Sequence, residues 1–343
     1  MTHLQIPGRH PGNGSGVPAR VRAWRWDPLY RFGGGFVAAV VPAVLLAIFV
    51  LLLTDGLPAL RFMGIRFFTT STWNPGSPYV VALAHHGGET AMAGASFGAF
   101  PLIVGTLFTS AIALLIAVPV ALGAAFFLSE WVPSRLEPVL STLLQLLSGV
   151  PSVVYGLWGL AVVVPVVAHD LGPWLTHVFG FLPFLAGPVG TGLGLLSTGL
   201  VLAVMILPLI ASVSRDAMRE TPTALREGAL ALGLTRWEAT RSIVLHHART
   251  AVLGAGILGL GRALGETMAV LMLSGGAMGF VPQNLYGPVS TLASVVASHL
   301  DGAFADPTHM AVHALAAAAL VLLCLSLVVN AIARVIVREG VVP

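Results

Sequence analysis

Six long apolar stretches, set apart by polar or arginine-bearing segments, dominate the pattern of this chain. They run over 36–53, 101–128, 139–168, 192–214, 251–274 and 312–333. Each is long enough for a helix to cross the hydrocarbon of a bilayer, which takes about 20 residues. The pattern therefore predicts an all-α integral membrane protein with six transmembrane helices. The stretch from Leu171 to Gly190 is also uncharged, but Pro173, Pro183, Pro188 and Gly190 interrupt it. It is expected to be re-entrant or interfacial, with a seventh span as the alternative. Residues 276–300, uncharged and dotted with polar positions, suit a short surface helix on the outer side.

The polar segments complete the layout. Residues 1–32 are rich in Gly, Pro and Arg and read as a disordered basic tail. The first span, 33–54, is expected to be a retained anchor and not a cleaved signal peptide. A long basic tail precedes it, and no clear small-residue cleavage site follows. An outer loop, 55–100, carries Trp73, Asn74 and Glu89. It either docks a partner or simply connects two spans. The remainder, 101–338, is expected to form a five-helix core with a polar inner loop over 215–250.

Composition sharpens this picture. Hydrophobic residues are 56% of the 343 and charged residues only 9%, against about 25% charged in a soluble domain. The net charge of +3 would suggest nucleic acid for a soluble protein. Here the arginines sit in loops and tails, so topology explains them and no nucleic-acid partner is expected. With the amino terminus inside, fourteen of the 17 basic residues fall in inner segments, and only Arg61 and Arg66 in an outer loop. Both termini are then cytoplasmic, as the positive-inside rule requires. All 17 basic residues are arginine. A P-loop needs a lysine on the phosphates, so the chain is not itself a Walker-type ATPase. Cys324 is the one cysteine, which excludes an intrachain disulfide and a CxxC metal site. His85–His86, His246–His247 and His313 lack zinc-site spacing with further ligands. No metal and no cofactor are expected.

The inner loop has readable punctuation. Thr221 suits a helix cap and Pro222 a first helical position. Ala224 to Leu232 favours helix, and Gly233 suits a left-handed ending. Thr235-Arg-Trp-Glu238 has capping-box spacing, so a second helix is expected to start there and enter the membrane. On the first helix Leu225, Ala229 and Leu232 share one face. Gly228, Ala229 and Ala231 are small and permit close approach of another surface. A connector lying on the headgroups, with arginines on anionic membrane lipid, fits these residues equally well.

The segment resembles the EAA loop of bacterial ABC-transporter permeases: Glu-Ala-Ala, three residues, Gly, nine residues, Ile-x-Leu-Pro. The chain has Glu227-Gly228-Ala229, Gly233 and Ile243-Val244-Leu245-His246 at that spacing. Gly228 replaces the middle alanine and His246 the proline. The resemblance widens over residues 60 to 338. Phe67–Pro75, Phe97–Thr106, Gly149–Gly159 and Leu260–Ala269 are similar to PstC-type permease subunits of phosphate-specific ABC transporters. The resemblance implies a six-helix type I importer permease in the bacterial plasma (inner) membrane. It implies a second, PstA-like permease, two copies of a PstB-like ATPase that bind ATP and magnesium, and a PstS-like extracytoplasmic phosphate-binding protein. It also implies ATPase coupling through Glu227, Gly228, Ala229 and Gly233, and inorganic phosphate as the substrate.

Arg262 and Glu266 are the only charges within the expected spans. Arg262 lies 11 residues after Ala251, roughly 16 Å into the bilayer at 1.5 Å per residue. Four residues apart on a continuous helix, the two project from one face. A charge at such depth costs at least about 2.5 kcal/mol, so it faces a cavity or a partner. An ion pair that positions the helix is one reading. A translocation site is the other, because a guanidinium grips phosphate oxygens in a two-pronged geometry and stays charged at any working pH. Thr267 adjoins the pair. Ser152 and Tyr155, beyond Gly149-Val-Pro151, either line a path or pack between helices. A permease for sulfate or molybdate would share the loop. A secondary transporter would often show an inverted repeat between its halves, and none is visible. A membrane-embedded enzyme would need a nucleophile or metal cluster, and no such constellation appears.

Overall fold

The computed structural model describes residues 27–77 and 82–339, and most of the tail read over 1–32 lies outside the described residues. The chain separates into a unit ending at Ile48 and a second, Phe49–Pro343. Helix α1 (Asp27–Met63) crosses that boundary. It overruns the expected span 33–54 at both ends, since Leu57 to Met63 stay apolar enough to continue the helix past Asp55. Within the second unit, Gly56 lies where a side chain would press within 2.9 Å of the Ala317 backbone.

After a short helix, α2 (Arg66–Thr69), come two small antiparallel ribbons. Strand β1 (Trp73–Asn74) pairs with β4 (Ser96–Phe97), and β2 (Leu83–His86) with β3 (Glu89–Met92). Gly87 and Gly88 turn the second ribbon with φ +63° and +81°, a two-residue geometry that glycine adopts without strain. Arg61 meets Glu89 at 3.7 Å and His86 bonds to the Phe62 carbonyl, tying the ribbon to the end of α1.

The core is a helix pair, α3 (Phe100–Glu130) and α6 (Leu195–Arg219). On α3, Gly105, Thr109, Ala113, Ala117, Ala121 and Ala125 recur every four residues, and all are buried. Such a stripe lets two backbones approach in lipid, where packing and hydrogen bonds replace the hydrophobic drive. Gly199 of α6 answers it: a Cβ there would meet Ile112 of α3 at 2.5 Å. Across the contact, Val201, Leu202, Met205, Ile206 and Ile210 are fully buried. Thr106, Thr109 and Ser110 turn their hydroxyls back to carbonyls of their own helix at 2.7–2.8 Å, so none of these three hydroxyls is left bare.

Among the described residues, six helices are long and apolar enough to cross a membrane: Gly34–Met63, Phe100–Glu130, Ser152–Phe179, Leu195–Arg219, Arg236–Leu264 and Met310–Val335. The count agrees with the sequence; two of the expected runs are divided differently. Residues 139–168 do not form one helix. Helix α4 (Glu137–Ser148) stops, Pro151 takes an extended conformation at ψ 139°, and α5 begins at Ser152 and continues to Phe179. Proline has no N–H to continue α4, yet it suits the entry of a new helix. Two π turns, Gly159–Val163 and Val167–Leu171, lie on either side of Pro165 and carry α5 through Pro173. The first half of the supposed re-entrant segment is therefore the end of a span.

Residues 251–274 are likewise two helices. The first is the end of α8 (Arg236–Leu264), which contains a π turn at Thr240–Val244; the second is α9 (Met268–Leu273). Helix α7 (Thr223–Ala231) precedes α8. The surface helix expected over 276–300 lies later and deeper. It is α10 (Leu292–Phe304), capped by Thr291 and Ser294, with Leu292, Ala293 and Val295 buried. Its first amide donates to the Thr106 hydroxyl of α3 at 3.0 Å. Helix α11 (Met310–Glu339) ends the described chain.

Candidate functional site

The break between α4 and α5 gathers three of the residues that the sequence singled out. Helix α4 ends with its carbonyls pointing onward, the negative end of a helix dipole. Tyr155, buried in the first turns of α5, donates its hydroxyl to the Leu147 carbonyl at 2.8 Å. Arg262, half-buried in the last turn of α8, donates from Nη1 to the Ser148 carbonyl at 3.2 Å. Two side chains from two other segments thus hold consecutive carbonyls of α4. Ser152 opens α5 beside them, half-buried. Gly156, one turn on, is packed so closely that a Cβ would meet Met272 Sδ at 2.7 Å.

Glu266 is not on the same helical face as Arg262. Helix α8 ends at Leu264, Gly265 is its cap, and Glu266 falls in the gap before α9. Its carboxylate accepts from the Ala269 amide at 3.2 Å, satisfying a free N–H at the start of α9. Thr267, the residue before α9, bonds to the Gly265 carbonyl. No ion pair joins Arg262 to Glu266 among the described residues. The hydrogen bond of the guanidinium is thus to a neutral carbonyl at the end of a helix.

The second site is α7. Pro222, not Thr221, stands at its cap; the helix runs Thr223–Ala231 and Leu232 closes it. Gly233 turns at φ +87°, and the capping box of Thr235 with Glu238 starts α8. Of the face Leu225–Ala229–Leu232, only Ala229 is buried, while Leu232 is 83% exposed. Glu227 and Gly228 are exposed, and a Cβ at Gly228 would meet nothing. Leu232, Gly233 and Trp237 border an open groove of about 600 Å³. Of the small residues of α7, Ala229 packs inward, whereas Gly228 and Ala231 are exposed.

An acid–arginine network joins α7 to the helices, and it was not foreseen from the sequence. Arg226 of α7 meets Glu130, the last residue of α3, at 3.0 Å, and donates to the Met218 carbonyl of α6 at 2.7 Å. Glu137, the first residue of α4, lies 3.0 Å from Arg219 and 3.5 Å from Arg215, both at the end of α6. Ser141 donates to the same carboxylate at 2.7 Å. That bond first, then the charges of Arg219 and Arg215, outweigh burial and hold the Glu137 pKa below its ordinary value. Phe126 of α3 stacks near Trp237 of α8 at 5.0 Å. The available signal was that Glu130 and Glu137 flank one short loop, opposite a segment rich in arginine.

Six candidate membrane spans, a helix break around an arginine, and a small helix tied inward by Arg226 but exposed at Glu227 and Gly228 together characterise the described chain. The chain belongs to the family of binding-protein-dependent transport system inner membrane components, whose pattern matches residues 117–339. It is a transport component, embedded in the membrane by several passes. It is 44% identical over 318 residues to the phosphate transport system permease protein PstC 1 of Mycobacterium tuberculosis, covering 92% of this chain and 94% of that one. It is 42% identical over 251 residues to PstC of Xylella fastidiosa, 72% of each chain. Among solved structures it resembles a chain of a bacterial ABC transporter involved in the import of the acidic polysaccharide alginate. The TM-score is 0.51 at 16% identity, over 91% of this chain and 98% of that one. At that identity the likeness speaks for the fold alone.

Proposed function

We propose that this chain is one of two membrane subunits of an ATP-driven importer of inorganic phosphate. The observation that carries the substrate is Arg262: a guanidinium beside a helix break in an apolar run, held by a carbonyl and not by a carboxylate. An incoming phosphate offers that guanidinium two charged oxygens in place of one neutral one, a stronger, two-pronged interaction. Relatives named as phosphate permeases, matching nearly end to end, support the same substrate. Tyr155 and Ser152 line the approach, and Glu266 with Thr267 shapes the far side.

In this reading α7 lies in the cytoplasm and both termini are cytoplasmic, in keeping with the arginine distribution. A PstS-like protein delivers phosphate from outside, a PstA-like chain completes the pathway, and two PstB-like ATPases with ATP and magnesium bind below. Glu227, Gly228, Ala229 and Gly233 present the docking helix to one of them. The test is uptake of labelled phosphate by the assembled transporter. Arg262→Ala is expected to lower uptake at least tenfold and Glu266→Gln by less, with assembly unchanged. Normal uptake in both variants would refute the assignment, as would full competition by sulfate.

A further inference from the structure

The two sites sit at opposite ends of one straight element. Helix α4 has 12 residues, Glu137–Ser148, and so is about 18 Å long. Its first residue is locked to Arg215 and Arg219, at the end of α6 that leads within four residues to α7. Its last residue offers the carbonyl that holds Arg262, and the residue before offers the one that holds Tyr155. Between these ends, Thr142, Leu143, Gln145 and Leu146 are exposed, while Leu144 packs against the buried core. We propose that α4 is the connecting rod of the transporter. It transmits displacement of the coupling helix to the substrate arginine, with Glu137 as the positioning residue at its driven end.

The physics follows from the attachments. Glu137 and Arg215 are both nearly buried, with side-chain exposures of 10% and 6%. A buried charge pair resists separation, because either partner alone would remain as an uncompensated charge. The driven end therefore moves with α6 and α7. A helix is stiff along its axis, while the junction after it is not: Gly149, Val150 and Pro151 lie between α4 and α5. When the end of α6 shifts, the carbonyls of Leu147 and Ser148 shift with it. Arg262, carried by a different helix, then loses its neutral ligand and is free for an anion. In the arrangement described here the rod is engaged and Arg262 is occupied.

The proposal rests on Arg262 being the phosphate ligand, and the experiment separates the two claims. The full transporter, with its companion permease, ATPase and binding protein, is reconstituted in vesicles. Phosphate moved and ATP hydrolysed are measured together. Glu137→Gln is expected to keep hydrolysis within about twofold and to lower phosphate moved per ATP about tenfold. Glu137→Asp, which keeps the charge, is expected to restore most of that ratio. Replacing Thr142 and Leu143 together by glycine softens the rod without touching either end, and should uncouple in the same way. An unchanged ratio in both Glu137→Gln and the double-glycine variant overturns the rod. So does a parallel loss of hydrolysis and transport in both, which would mark α4 as merely structural. Should Arg262→Ala still transport phosphate normally, the substrate assignment falls and the rod with it. Should Arg262→Ala fail to transport while both α4 variants couple normally, only the rod falls.

Discussion

Glu137 shows how one carboxylate can hold several elements at once. It accepts from Ser141 in its own helix and faces Arg215 and Arg219 in another. Its first-turn position also places negative charge at the positive end of the α4 dipole. Its folded pKa is lowered, so the carboxylate releases its proton more readily in the fold than in the unfolded chain. The stabilisation is complete above the ordinary glutamate pKa and is lost as pH falls through the lowered one. Thermal melting of the purified protein between pH 7 and pH 3 should show a fall in midpoint below the usual glutamate range. Glu137→Gln should start lower at pH 7 and lose less across that window. Equal slopes for the two would mean that the carboxylate contributes nothing there. The residue scale also shows what sequence could not reach. The expense of burying a charge marks Arg262 by type alone, but its partner is a backbone carbonyl. Which carbonyl it meets depends on where α4 stops, and Pro151 decides that through geometry rather than hydrophobicity.

At the scale of elements, α7 pairs two glycines with opposite demands. Gly228 is in the helix, with open space where a side chain would stand. Gly228→Ala should stabilise α7 by about 0.5–1 kcal/mol, the usual gain of alanine over glycine in a helix. Gly233 has φ +87°, and alanine there should cost about 1–2 kcal/mol. Hydrogen exchange of the amides over 223–234 reads both: slower in Gly228→Ala, faster in Gly233→Ala. Slower exchange in the second variant would contradict the turn described here. This element was legible in the sequence because punctuation residues act locally. The Thr235–Glu238 box and the turn at Gly233 occur where read, and only the first cap moved by one residue, from Thr221 to Pro222. The spans were legible in number but not in division. Apolarity alone does not show a break, and Gly149 and Pro151 suit a kink within a span as well as a stop, so 139–168 and 251–274 each read as one helix. Proline and glycine counted against 171–190, yet π turns absorb such residues within a span.

At the scale of the whole molecule, the proposed coupling path has force enter at the exposed surface of α7 and leave at Arg262. Glu227 stands at the first of these points. It is exposed, and it makes no hydrogen bond or ion pair among the described residues. Its neighbour Arg226 is bound inward to Glu130 and Met218. Adjacent side chains of α7 thus face two ways, one to the bundle and one outward. Glu227→Arg removes no internal contact, so the melting midpoint should stay within about a degree or two, as for surface changes of under 0.5 kcal/mol. In the reconstituted transporter it should abolish the stimulation of ATP hydrolysis by the phosphate-loaded binding protein. On the proposed path, a lesion at the entry point is expected to stop hydrolysis from responding to substrate, whereas a lesion in α4 is expected to leave hydrolysis running and to lower phosphate transport. Intact stimulation in Glu227→Arg would remove α7 from the coupling path. A destabilised protein would instead show that Glu227 has an internal partner.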